Sequence, residues 1–161
     1  MASQTTTSRS AAAPESDDWQ PHTLPATTHS YLLRAAGSLS EAVTATDAPT
    51  RYACAHVAAL RAAAALLAAR ARPQVRPSRR QQNAWVLLTQ VAPELGEWAT
   101  FFAAGAAKRA AAEAGSSRAV TEREADDLVR DADRFLAVVE AALGLTPHPS
   151  VGDQLVGRVA G

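Results

Sequence analysis

Arg51 and His56 are the two residues of this sequence whose types and spacing could do chemistry together. A histidine ionises near neutral pH and can give or take a proton, and an arginine holds phosphate oxygens through paired N–H groups. Their R-x(4)-H spacing could therefore act on a phosphodiester. On one helix, however, five residues turn the two side chains by about 140°, so they do not share a face. Their use depends on the elements that position them.

The composition indicates one all-α domain. Apolar residues make up 47% of the 161 residues but aromatic residues only 5%, so alanine supplies much of the apolar content. Alanine is the strongest helix former, because its side chain loses no rotamer entropy on folding. Residues 1–28 and 145–161 are predicted to be tails around a domain at 29–144. The net charge of +0 provides no overall field that would attract nucleic acid or an anionic membrane.

Cys54 is the single cysteine, which excludes an intrachain disulfide and a zinc site built on cysteines. Its apolar neighbours predict an inert, buried thiol. The N-terminal residues lack the apolar stretch of a secretory signal, and no apolar run approaches the roughly 20 residues that span a bilayer. We therefore expect a cytoplasmic protein that does not associate with membranes and uses no cofactor and no metal.

The spacing of apolar residues predicts an antiparallel, up-and-down bundle of four to five helices. The first two helices are predicted over about 30–46 and 49–71, and the second is apolar over so wide an arc that it should lie at the centre. The third helix is predicted to run to Gly115 and to kink or break at Pro93. The fourth is predicted to end at Gly144.

Polar side chains at the predicted helix starts can satisfy the free backbone N–H groups there. Asp47 is the predicted N-cap of the second helix. Ser78 and Gln81 form an S-x-x-Q capping box before the third helix, and Thr121 and Glu124 form a T-x-x-E capping box before the fourth. These signals predict where the helices begin.

Three further groups of residues are candidates for function or for packing. Five arginines between the second and third helices could contact phosphate, or could lie in a solvated loop that complements a helix C-terminus. They are Arg70, Arg72, Arg76, Arg79 and Arg80.

Four aspartates of the last helix are interspersed with arginines, which predicts a solvated face with ion pairs rather than a metal site. They are Asp126, Asp127, Asp131 and Asp133. The aromatic residues of the third helix follow the helical period, which predicts a core or dimer surface rather than a base-stacking platform. They are Trp85, Trp98, Phe101 and Phe102.

The order of helices and the element RYACAHVAALRAAAALL, residues 51–67, resemble the HEPN superfamily of small all-α domains found in prokaryotic defence and RNA biology. The resemblance covers about residues 31–143. It is to an actinobacterial branch in which such a second helix precedes an arginine-rich turn and a segment like AWVLLTQVAPELGEWATFFAAGAAKRAAAEAG, residues 84–115. The resemblance implies a homodimer, and RNA or a nucleic-acid-processing protein as partner.

Active HEPN ribonucleases resemble one another in an R-x(4–6)-H motif near the start of the last helix, and two subunits together cleave RNA without metal. In this sequence the matching pair, Arg51 and His56, lies in the second helix. We predict that His56 is structural, near Tyr52 and bonded to a carbonyl or carboxylate. The chain is then a non-catalytic module that contacts RNA or a protein. The alternatives are a metal-independent ribonuclease using Arg51 and His56, and an accessory subunit of a DNA-repair or nucleic-acid-processing assembly.

Overall fold

The computed structural model describes residues 23–70 and 83–151, and these ranges contain six α-helices and no strand. The helices are α1 (Ala26–Thr44), α2 (Ala48–Arg70), α3 (Ala84–Val91), α4 (Gly96–Ala104), α5 (Ala106–Glu113) and α6 (Glu122–Ala142), with a 3₁₀ turn at Pro93–Leu95. Since α3, α4 and α5 follow one another as one bent arm, the bundle has four arms. The all-α bundle predicted from the sequence is confirmed.

The central helix α2 and the last helix α6 run in the same direction. Arg51, in the first turn of α2, bonds to Glu122 at the start of α6, with 2.7 Å between nitrogen and oxygen. At the other end, Arg70 of α2 donates to the carbonyl of Ala142, the last residue of α6, at 3.4 Å. These two contacts align the helices from start to end.

The arm formed by α4 and α5 runs opposite to α2 and α6. Glu94, just before α4, pairs with Arg70 at the end of α2 at 2.5 Å. Lys108 of α5 pairs with Glu124 near the start of α6, also at 2.5 Å. Because a short turn joins α1 to α2, all consecutive arms are antiparallel, which is the arrangement of an up-and-down bundle.

Helix α2 lies at the centre and packs most extensively against α1 and α6. Its fully buried residues are mostly alanines, whose small side chains let neighbouring helices approach closely. They are Ala55, Ala58, Ala59, Ala62, Ala63 and Ala65. By length and composition α2 could also cross a membrane, but buried core helices meet the same criterion and half of its apolar stretch is buried in this bundle.

The local signals at four helix ends are confirmed. The Asp47 carboxylate accepts the backbone N–H three residues further on at 2.9 Å, and this bond lowers the pKa of Asp47. Thr121 and Glu124 form both halves of the capping box of α6. Gly115 and Gly144 follow α5 and α6 with φ of +84° and +74°, a backbone region that favours glycine.

The third arm begins and bends at residues that were only partly predicted. The capping box of Ser78 and Gln81 lies outside the described residues. Instead, the side chain of Asn83 caps α3 by accepting the backbone N–H two residues further on at 2.9 Å. The predicted break at Pro93 is confirmed, and the helix breaks a second time at Gly105.

Helix α1 begins at Ala26, inside the segment that was predicted to be a tail. Thr28 is buried there and its hydroxyl donates to the carbonyl of Ala65 at 3.2 Å, which ties the start of α1 to α2. The buried face of α1 includes Ala35, Ser38 and Ala42, whose small side chains allow a close approach to α2.

Candidate functional site

Arg51, the first residue of the candidate catalytic pair, is directed from α2 towards the start of α6. Its Nη1 donates to the carboxylates of Glu122 and Asp126 at 2.7 and 2.9 Å, and its Nη2 donates to the carbonyl of Ala45 at 3.0 Å. The Arg51 side chain is 13% exposed. These bonds connect α2 and the α1–α2 turn to α6, and they occupy the donors that would otherwise hold a phosphate.

Replacing Arg51 with alanine is expected to lower the free energy of unfolding by about 1–2 kcal/mol, because charge-assisted hydrogen bonds of a largely buried side chain are lost. The matched control is Arg123→Ala on α6, since the Arg123 side chain is 92% exposed. This control should change stability by less than about 0.5 kcal/mol. Urea denaturation measures both, and equal stabilities of the two variants would contradict the structural role of Arg51.

His56 points to a different element. It is 1% exposed, and its Nε2–H donates to the carbonyl of Phe102 in α4 at 2.9 Å, which confirms the predicted bond to a carbonyl. The rings of Trp85 and Phe102 meet the imidazole edge to face, each at 6.1 Å between centroids. Nδ1 is buried and has no hydrogen-bond partner among the residues that the structure describes. Burial lowers the pKa of His56, so the imidazole is neutral at neutral pH.

The structure does not bring Arg51 and His56 together within one chain. The guanidinium lies on the carboxylates of α6, and the imidazole lies against the backbone of α4. The sequence of α6 contains no histidine that could take the place of His56. Both residues of the R-x(4)-H pattern therefore act in packing the helices.

The arginine-rich connection is described only at its first residue, Arg70. Its ion pair with Glu94 lowers the pKa of that carboxyl group, and a second bond reaches the carbonyl of Ala142. Arg70 thus joins the ends of α2 and α6 to the third arm. Outside the described residues lie Arg72, Arg76, Arg79 and Arg80.

The four aspartates of α6 do not form one solvated face. Two of them make the predicted ion pairs with arginines of the same helix, Asp127 with Arg130 and Asp131 with Arg134. Asp126 pairs instead with Arg51 of α2, which was not predicted. Asp133, in contrast, is only 5% exposed, so its predicted position on a solvated face is wrong. No group of three or more His, Cys, Asp or Glu side chains within the described ranges is placed to hold a metal ion.

Asp133 is buried because the segment after α6, predicted as part of a tail, folds back over it. Nε2 of His148 lies 2.6 Å from Asp133, and Nδ1 lies 2.8 Å from Glu140. The hydroxyl of Ser150 and the N–H of Val151 donate to Asp133 at 3.0 and 3.3 Å. Burial opposes a charge on His148, but the bonds to Glu140 and Asp133 outweigh it and raise the pKa. Both ring nitrogens donate at once only in the imidazolium form.

A groove opens where α2, the α4–α5 junction and α6 meet. Its two halves have volumes of about 350 and 330 Å³ and share Tyr52, Phe101, Lys108 and Leu128. The first, which we call the apolar half, is also lined by His56, Thr100, Phe102, Ala104 and Gly105. The second, which we call the acidic half, is also lined by Glu124, Asp127 and Asp131. The groove is thus an accessible surface with one apolar and one charged end.

Tyr52 lies in both halves of the groove. It is 7% exposed, burial raises its pKa, and its hydroxyl has no hydrogen-bond partner in the described part of the chain. A Cβ atom at Gly105 would lie 2.9 Å from this hydroxyl oxygen, which explains why glycine stands at the α4–α5 junction. Beside it, the Lys108 ammonium lowers the pKa of Glu124 to about 2.

Sequence reasoning assigned no function to Tyr52 or Lys108. Two signals were available, since Lys108 is the only lysine of the chain and Phe101 precedes the buried Phe102 by one position. Phe101 is 46% exposed at the groove. Neither signal shows by itself that these residues line one surface, because they lie on separate helices.

Comparison with family models matches residues 42–140, more than half of the chain, to the family described as SAV_6107-like HEPN. The chain belongs to this HEPN family. The matched range runs from the end of α1 into the last turn of α6, so Arg51, His56 and the groove all lie within the HEPN domain. No curated protein and no solved structure shows significant similarity to the chain.

Proposed function

We propose that this HEPN domain is a non-catalytic binding module that takes another protein as its partner. The placement of Arg51 and His56 supports the proposal. A general acid or base must come within hydrogen-bond reach of the substrate, but one ring nitrogen of His56 is bonded to Phe102 and the other is buried. Arg51 is engaged by two carboxylates and a carbonyl. A ribonuclease would have to break both sets of contacts.

The charge distribution favours a protein over RNA as partner. Most arginines that the structure describes lie beside carboxylates, as in the pairs Arg51–Glu122, Arg70–Glu94, Arg109–Glu113, Arg123–Asp127 and Arg134–Asp131. RNA binding depends on positive groups that are free to neutralise phosphates. Exposed apolar side chains such as Leu33 and Phe101 instead suit a protein interface. The homodimer implied by the HEPN resemblance and the cytoplasmic location expected from the sequence both stay predictions.

Incubation of the wild-type domain with labelled single-stranded RNA in the presence of chelator tests the absence of catalysis. The RNA is expected to stay intact on a denaturing gel, because the imidazole of His56 is buried and cannot reach a substrate. The comparison lanes hold Arg51→Ala and the exposed control Arg123→Ala, both checked for helicity by circular dichroism. The ribonuclease alternative would be established if the wild type and the control cleave the RNA and the folded Arg51→Ala variant does not.

Binding to the same RNA, followed by fluorescence anisotropy at two salt concentrations, separates the remaining alternatives. We expect weak binding with little dependence on salt, since few phosphate contacts would release counterions. Tight binding with a steep salt dependence would instead favour an RNA-contacting module or an accessory subunit of a nucleic-acid-processing assembly. That binding would have to fall when Arg70, Arg72, Arg76, Arg79 and Arg80 are replaced with glutamine.

A further inference from the structure

We infer that the groove between α2, the α4–α5 junction and α6 binds a partner segment that carries a bulky apolar side chain close to a lysine or arginine. The inference rests on the proposed function, because it names the surface through which the HEPN domain would take its protein partner. Three features of the groove support it, and each belongs to a different part of the surface.

The apolar half offers a site for a large side chain. Its volume of about 350 Å³ is bounded by Phe101, Phe102 and Leu128. Phe101 is 46% exposed, and Thr100 and Ala104 are also exposed, so a side chain can enter from solvent. Aromatic and large aliphatic side chains that fill such pockets are the usual anchors of protein interfaces.

The acidic half offers a site for a cation. It is lined by three carboxylates and one ammonium group, which are Glu124, Asp127, Asp131 and Lys108. Glu124 is paired with Lys108 and Asp127 with Arg130, so Asp131 has the weakest ion pair of the three carboxylates. Asp131 is partly buried, and its ion pair with Arg134 is long, at 3.6 Å, and involves a side chain that is 70% exposed. Burial raises the pKa of Asp131, because the loss of water disfavours its negative charge. A guanidinium or ammonium group of a partner would compensate it.

The third feature is the hydroxyl of Tyr52, where the two halves meet. The residue is more than nine-tenths buried, but its hydroxyl has no hydrogen-bond partner within the described residues. The hydroxyl oxygen itself is not buried, because it faces the groove, where it can both donate and accept a hydrogen bond. A backbone carbonyl or N–H of a bound segment would satisfy it between the two anchored side chains.

The same features argue against a nucleic acid in the groove. A phosphate beside the weakly paired Asp131 would be repelled, because like charges at short range disfavour association. The ammonium of Lys108 is already paired with Glu124 at 2.5 Å, so it is not free to hold a phosphate. The groove therefore favours a positively charged group beside Asp131.

The test uses a display library of random 12-residue peptides, selected on the full-length wild-type chain. We expect the enriched peptides to share a bulky apolar residue within a few positions of lysine or arginine. Their affinity, measured by fluorescence polarisation, should fall at least tenfold for Ala104→Trp, because residue 104 is exposed and lines the apolar half. The matched control is Ala103→Trp, which is exposed on the same helix outside the groove and should bind as the wild type does.

A second pair of variants tests the acidic half without adding volume. Asp131→Asn should weaken the enriched peptides about three- to tenfold, whereas Glu97→Gln, an exposed neutralisation on α4 outside the groove, should leave their affinity unchanged. A peptide whose basic residue is replaced with glutamate should lose binding to the wild type and regain part of it with Asp131→Lys. Such a reversal is not expected from a merely structural role of Asp131.

Several results would overturn the inference. A failure to enrich any peptide, or peptides that bind Ala104→Trp as tightly as the wild type, would remove the groove as the binding surface and leave the proposed function standing. A concentration-dependent dimer that Ala104→Trp dissociates would place a second copy of the chain in the groove instead. Cleavage of RNA in the experiment above would overturn the proposed function itself.

Discussion

Replacing Phe102 with alanine is expected to lower the free energy of unfolding by about 3–5 kcal/mol. Phe102 is 1% exposed and stacks on Trp85 and Trp98, with ring centroids 5.1 and 6.0 Å apart. Phe135 of α6 adds a tilted contact at 5.2 Å. The substitution therefore removes both the buried apolar area and the ring contacts that join the third arm to α6, and it leaves a cavity that the surrounding helices close only in part.

The neighbouring Phe101 provides the matched control, since it has the same side chain on the same helix but is 46% exposed. Phe101→Ala should lower the free energy of unfolding by about 1 kcal/mol or less, because little buried area is lost. Urea titrations followed by circular dichroism measure both variants. Equal losses for Phe101→Ala and Phe102→Ala would contradict the assignment of one ring to the core and the other to the groove.

Replacing His148 with alanine is expected to lower the free energy of unfolding by about 2–3 kcal/mol at pH 6. The imidazolium is held by Asp133 and Glu140 at 2.6 and 2.8 Å, and both carboxylates are largely buried. Without the imidazolium, Asp133 keeps only its bonds to Ser150 and Val151, and Glu140 keeps the bond from the backbone N–H of residue 148. The two buried negative charges then have no cation beside them. Removing one partner of a buried ion pair destabilises the fold, because the remaining charge stays buried without compensation.

The contribution of His148 depends on pH in a defined direction. Its pKa in the folded chain is raised above the value of about 6.5 of an unfolded chain. The stabilisation is therefore fully present below about pH 6.5 and is lost as the pH rises through the folded pKa. The other residues that line the cleft beside His148 do not titrate, since they are Ala36, Leu39, Ser40, Val43, Thr44, Leu136 and Val151.

The measurement is a series of urea denaturations between pH 6 and pH 9. The wild type should lose stability along this series, and His148→Ala should lose less, so the two curves should converge at alkaline pH. His29→Ala is the control, because His29 is exposed in α1 and its substitution should change the stability little at any pH. Parallel curves for the wild type and His148→Ala would show that Asp133 and Glu140 do not hold His148 in its charged form.

The features predicted correctly from the sequence are those that depend on neighbouring residues. Pro93 breaks the third arm because it lacks a backbone N–H, and Thr121 with Glu124 caps α6 within four consecutive residues. Asp47 likewise bonds to the backbone three residues away. Each signal acts within one turn of helix, so no knowledge of the tertiary structure is needed to interpret it.

The features that were missed depend on contacts between distant segments. Asp133 has the sequence surroundings of a solvated aspartate, and only the return of the chain at His148 buries it. No proline marks the break at Gly105, and the reason for a glycine there, the nearby hydroxyl of Tyr52, lies on another helix. The groove has the same origin, since α2, α4, α5 and α6 each contribute one part of its wall.

The alanines of α2 also have a consequence for how the HEPN domain can diverge. Residues such as Ala55, Ala59 and Ala62 fix the spacing of the helices by their small volume, so side-chain size rather than hydrophobicity limits what can replace them. Serine would be accepted more readily than leucine at such positions. A larger residue would push α2 away from its neighbours and widen the groove that includes Tyr52. Under the proposed function, substitutions at these buried positions would alter the binding groove without touching the bound segment.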